Sequence, residues 1–159
     1  MTIRVLIADD EPLIRAGLRM ILEEVDDLEV VAEAVDGEQA VALASRLAPD
    51  VVVMDVRMPG VDGIEATRRL VAHDPAARIL VVTTFDLDEH AFAALRAGAS
   101  GFILKNSSVD ELARAIRTVA HGDAVVSPRV TRRLLEVHAG HLHPADDPGK
   151  QFLRAVAHM

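Results

Sequence analysis

The sequence predicts an open α/β fold, a doubly wound sheet of five parallel strands with helices on both faces. Three observations carry this expectation. Short runs rich in Val, Ile and Leu alternate with stretches whose apolar residues recur at helical spacing. The short runs are apolar throughout instead of alternating, as strands buried on both faces should be. Five such strand–helix units in succession leave few arrangements other than a parallel sheet, because the crossovers are right-handed.

The elements follow in order. Ile3–Ala8 is the first predicted strand, and the acidic turn after it leads into a helix over Pro12–Glu24. Leu28–Ala34 is the second strand; Asp36 is placed to cap a helix over Glu38–Leu47, which Pro49 stops. Val51–Met54 is the third, followed by a loop with Pro59 and Gly60 and a helix over Gly63–Ala72. Arg78–Val82 is the fourth, with a helix over Asp88–Ala97 ended by Gly98. Ser100–Leu104 is the fifth; Ser108 and Glu111 have the spacing of a capping box and open a helix over Val109–His121, ended by Gly122. Residues 1–122 therefore read as one domain. In 123–159, Ser127-Pro128 predicts a capped linker helix to about His138, followed by the Pro- and Gly-containing stretch AGHLHPADDPGK and a short tail.

Composition narrows the function. Half of the 159 residues are hydrophobic, enough for one sizeable core. The absence of any apolar run of about 18 residues argues against a membrane span. The N-terminus enters a strand pattern directly and carries acid early, unlike a signal peptide. With no Cys there is no disulfide framework or thiolate metal site, which fits a cytoplasmic location. A net charge of −8 argues against gripping nucleic acid by electrostatics alone. The charge is uneven: residues 1–128 hold 12 Lys and Arg against 22 Asp and Glu, whereas 129–159 hold 5 against 3.

Four strand ends carry residues that handle phosphoryl groups: Asp9, Asp10 and Glu11; Asp55; Thr83 and Thr84; and Lys105. In a parallel sheet those ends share one edge, where open α/β folds bind ligands. Crowded carboxylates are costly unless a cation screens them, and an oxygen-rich acidic pocket suits Mg²⁺. Asp55 at the mouth of the sheet can attack phosphorus as a nucleophile and form an acyl phosphate. Thr83 can bond one phosphoryl oxygen and Lys105 can pair with another. Of 17 basic residues only Lys105 and Lys150 are Lys, so a Lys at a strand end points to a need for a compact ammonium.

The segments ADDEPLIRAGL, VVVMDVRMPGVDGIEATRRL and VVTTFDLDEHAFAALRAGASGFILK resemble the receiver domain of two-component response regulators, of the NarL/FixJ-type subfamily. The resemblance covers residues 2–122, with its motifs in the family's order. It implies a flavodoxin-like fold with strand order 2-1-3-4-5. It further implies Asp55 as phosphoacceptor, Asp9 and Asp10 with Asp55 as Mg²⁺ ligands, and the backbone carbonyl of Arg57 as another. Thr83, 22 residues before Lys105, matches the switch hydroxyl; Thr84 has the wrong spacing. Phe102 stands where the family has a rotating aromatic, without the hydroxyl of the commoner Tyr.

Rival readings fit less well. An aspartyl-phosphate phosphohydrolase of the haloacid-dehalogenase type needs an Asp two residues after the nucleophile, where this chain has Arg57. A nucleotide- or flavin-binding module wants free backbone amides after the first strand, and Asp-Asp-Glu-Pro repels phosphate unless a metal intervenes. His138, His141 and His143 lie in a linker without a scaffold for metal. The resemblance therefore implies a phosphoacceptor switch rather than an enzyme, charged by a sensor histidine kinase and pairing as a homodimer on phosphorylation. DNA would be reached only through a helix-turn-helix output domain that residues 144–159 are too short to supply. A truncated transcriptional regulator is favoured over a stand-alone receiver acting through a protein partner.

Overall fold

A computed structural model of the chain describes residues 2–83, 93–123 and 125–126. The predicted Asp88–Ala97 helix falls partly outside these residues, which are helical over 93–96. Thr84, the linker helix to His138, and the tail lie outside them altogether.

The strands are β1 (Ile3–Ala8), β2 (Leu28–Ala34), β3 (Val51–Asp55), β4 (Ile79–Thr83), β5 (Gly101–Leu104) and β6 (Val125–Val126). The helices are α1 (Pro12–Glu23), α2 (Gly37–Leu47), α3 (Gly63–His73) and α4 (Val109–Ala120). All strands run parallel in one sheet, ordered β2-β1-β3-β4-β5-β6. That sheet has one strand more than the five expected. β6 pairs Val125 and Val126 with Gly101 and Phe102, and two residues are too few to register as an apolar run.

Alternation along the strands divides the core in two. Leu6, Val52, Met54, Ile79, Val81 and Phe102 face a layer that includes Ala40 of α2 and Ala66 and Leu70 of α3. Val5, Ile7, Val51, Val53, Leu80, Val82 and Ile103 face the other, packed against Leu22 of α1 and Leu112, Ile116 and Val119 of α4. Every residue of β3 and β4 is buried, and up to the closing Asp55 and Thr83 both strands are unbroken runs of apolar side chains, Val51–Met54 and Ile79–Val82. Each such side chain contributes about 1.5–3 kcal/mol by leaving water.

Local chemistry sets the helix ends. Ser108 and Glu111 form the reciprocal capping box at the start of α4. Asp36 accepts a hydrogen bond from the Gln39 amide at the start of α2, and Asp62 does the same with Glu65 for α3. Gly98 and Gly122 take φ of 105° and 92°, the left-handed conformation that stops a helix. Arg4 of β1 donates to the carbonyls of Leu47 and Ala48, tying off the C-terminus of α2.

Candidate functional site

Asp55 is the last residue of β3, in the middle of the sheet, and is 5 % exposed. Asp9 follows β1 directly, is 1 % exposed, and is fixed by its amide donating to the Ala34 carbonyl at 3.1 Å. One of its carboxylate oxygens accepts the Glu11 amide at 2.9 Å. Lys105 follows β5, and its amide donates to the Thr83 carbonyl at 2.6 Å. The strand order brings these ends together, since β1 and β4 flank β3 and β5 is the next strand out.

Residue parity then sorts the side chains. Asp9, Asp55 and Lys105 each come two residues after one facing α1 and α4: Ile7, Val53 and Ile103. Accordingly the Lys105 Nζ lies 3.2 Å from Asp55 Oδ1 and 3.4 Å from Asp9 Oδ2. All three residues line a cavity of about 240 Å³, whose walls also include Ile14 and Leu18 of α1 and Leu112 of α4. Asp10 is exposed, yet it can bring a carboxylate oxygen within 4.8 Å of those of Asp9 and Asp55.

The charges do not balance. Burial pushes the Asp55 carboxyl up to about 6, and the Asp9 carboxylate adds to the rise against the pull of Lys105. Burial lowers the Lys105 ammonium, but Asp55 and Asp9 together outweigh it, and its pKa ends above the ordinary lysine value. Three carboxylates thus face one ammonium. The donors are all hard oxygens with uncompensated negative charge, which fits a divalent cation of the Mg²⁺ class. Asp9, Asp10 and Asp55 are the residues that could hold it.

The other predicted residues lie around this group. Arg57 is exposed, two residues past Asp55, and lines an opening with Asp10, Met58 and Asp62. Thr83 ends β4 next to Val82, the register partner of Asp55, and is 3 % exposed. Its parity follows Val81, so it shares a sheet face with Phe102, which is fully buried and in register with Val81.

Two contributors were not anticipated. Arg15 of α1 donates from Nη1 to the Asp9 carbonyl at 2.8 Å, six residues along. Gly63 donates its amide to the Val56 carbonyl at 2.9 Å and packs against the backbone of Asp55. The signals were an Arg on the first turns of a helix next to the acidic pair, and a Gly opening a helix where a side chain would normally stand.

Comparison with known proteins decides the family. Residues 5–117 match the response regulator receiver domain. This chain belongs to that family. The chain is 41% identical over 134 residues to the transcriptional regulatory protein DegU of Brevibacillus brevis, covering 84% of this chain and 57% of that one. It is 42% identical over 133 residues to the oxygen regulatory protein NreC of Staphylococcus carnosus, covering 83% and 61%. A crystal structure of a LuxR-family two-component response regulator from Aurantimonas sp. SI85-9A1 superposes with a TM-score of 0.82 at 40% identity, covering 87% of this chain and 99% of that one. The receiver chain thus spans about 60% of the length of the curated relatives it matches. The family is a regulatory one, and the fold is the flavodoxin-like receiver fold. Among the described residues no helix is long and apolar enough to cross a membrane.

Proposed function

We propose that this receiver domain accepts a phosphoryl group on Asp55 from the phosphohistidine of a sensor histidine kinase. The observation that carries this reading is the grouping of Asp55 with Asp9, Asp10 and Lys105 at one sheet edge. An Asp55 carboxylate oxygen attacks phosphorus; the P–O bond forms as the P–N bond breaks, and the donor imidazole leaves with the electron pair. With its pKa near 6, Asp55 is mostly ionised at neutral pH and ready to attack. Asp9, Asp10, Asp55 and the backbone carbonyl of Arg57 would hold Mg²⁺, which would supply neutralisation of charge on the phosphoryl oxygens. Lys105 pairs with one phosphoryl oxygen and the Thr83 hydroxyl bonds another.

The new contacts favour one of two preexisting states, in which Thr83 is drawn to the phosphoryl group and Phe102 fills the space beneath it. The consequence is a changed outer surface and pairing into a homodimer. Transcription control follows through an output domain, a reading supported by the name of DegU as a transcriptional regulatory protein; a helix-turn-helix output domain and a cytoplasmic location complete the proposal. Intact-mass measurement after incubation with a small phosphodonor and Mg²⁺ tests the acceptor. One base-labile, hydroxylamine-sensitive phosphoryl group should appear on the wild-type chain and none on Asp55→Asn; equal labelling of both sinks the assignment.

A further inference from the structure

The Asp9 carbonyl lies just beyond β1 and receives the Arg15 guanidinium at 2.8 Å. The same guanidinium lies 3.5 Å from Glu33 of β2, through its Nε, and its side chain is only 15% exposed. Glu33 is held in turn by Arg19, at 2.6 Å. Helix α1 and strand β2 are thereby fastened to the turn that carries Asp9 and Asp10. The bond goes to a backbone carbonyl and does not compete for the Asp9 carboxylate oxygens, and a charged donor makes it stronger than a neutral one would be.

We infer that Arg15 is a positioning residue for the acidic pair, setting the affinity of the site for a divalent cation by fixing the backbone at Asp9. The inference rests on the metal site proposed above. Two effects oppose each other when Arg15 is removed. Loss of a nearby positive charge tightens cation binding by Coulomb attraction, whereas loss of the backbone tie loosens it. Supporting groups of this kind change metal affinity by about 10-fold or more, so the tie should win.

The test is a calorimetric Mg²⁺ titration of the whole chain as wild type, Arg15→Met, Arg15→Lys and Glu33→Gln. Arg15→Met should bind Mg²⁺ about 10-fold more weakly. Phosphoryl uptake from a small donor should then need correspondingly more Mg²⁺ but reach the same plateau. Arg15→Lys, with its charge and one donor retained, should recover part of the loss, and Glu33→Gln should weaken binding less, in the same direction. Affinity in Arg15→Met equal to or tighter than wild type overturns the inference. If Arg15→Met does not fold, unchanged affinity in Glu33→Gln overturns it instead. A wild-type chain that does not take up Mg²⁺ at all overturns the metal site itself, a different outcome.

Discussion

Gly63 and Asp55 meet backbone to backbone: a Cβ placed on Gly63 would lie 1.9 Å from the Asp55 carbonyl oxygen. No side-chain rotation relieves such a contact, because the backbone fixes the Cβ and the atom it meets is a main-chain carbonyl oxygen. Gly63→Ala must therefore push α3 away from the end of β3 or move Asp55. The expected cost is about 1–3 kcal/mol, as for other overpacked interiors, read as a lower urea midpoint. Phosphoryl uptake per folded molecule should fall as well. Unchanged stability would show that the helix can slide without consequence.

Stability should depend on pH through Asp55. Its carboxyl binds a proton with a pKa of about 6 when folded, against 3.8 for the unperturbed group. The folded state therefore holds more protons in this window, and stability falls as pH rises through it. Two pKa units correspond to about 3 kcal/mol. In the absence of Mg²⁺, Asp55→Asn should be more stable than wild type at pH 7.5 by up to that amount, with the gap closing near pH 4. Parallel denaturation curves at several pH values check it; a constant gap would remove the desolvated carboxylate as the cause.

Mg²⁺ should raise the melting temperature of the wild-type domain by mass action. Asp10→Ala removes one exposed carboxylate of the cluster, so it should blunt that rise while easing repulsion in the metal-free protein. A melting temperature indifferent to millimolar Mg²⁺ in the wild type would contradict the site.

Phe102 gives a separate measure of the core. It is fully buried in the layer under α2 and α3. Phe102→Ala should cost about 3–5 kcal/mol, whereas Phe102→Leu should keep most of the stability while altering how far phosphorylation shifts the surface. Equal stability of wild type and Phe102→Ala would mean that the ring contributes little packing.

Much of this was legible beforehand, for physical reasons. A strand buried on both faces leaves an unbroken apolar run, and β1, β3 and β4 were read within a residue of their ends. The apolar run Val51–Met54 stops one residue short of the strand, because Asp55 is polar although it completes it. The grouping of Asp9, Asp55 and Lys105 was inferred from the parallel topology alone. The spacing of Ser108 and Glu111 announces a capping box, whereas Asp62 reads as the end of the Pro59–Gly60 loop although its carboxylate accepts the Glu65 amide and caps α3. β6 has two residues and no pattern of its own. The reach of Arg15 to Asp9 and the seating of Gly63 on Asp55 are three-dimensional contacts that no local periodicity records.

The two faces of the sheet have unequal assignments at this edge. Asp9, Asp55 and Lys105 point toward α1 and α4, whereas Thr83 and Phe102 point toward α2 and α3. Charge is thus written on one side of a wall and shape is held on the other. The bond from the Lys105 amide to the Thr83 carbonyl joins the two sides at the rim. Movement of Lys105 toward a new anion should therefore be felt at Thr83 through that bond, carrying an electrostatic change on one side of the sheet to the packing on the other.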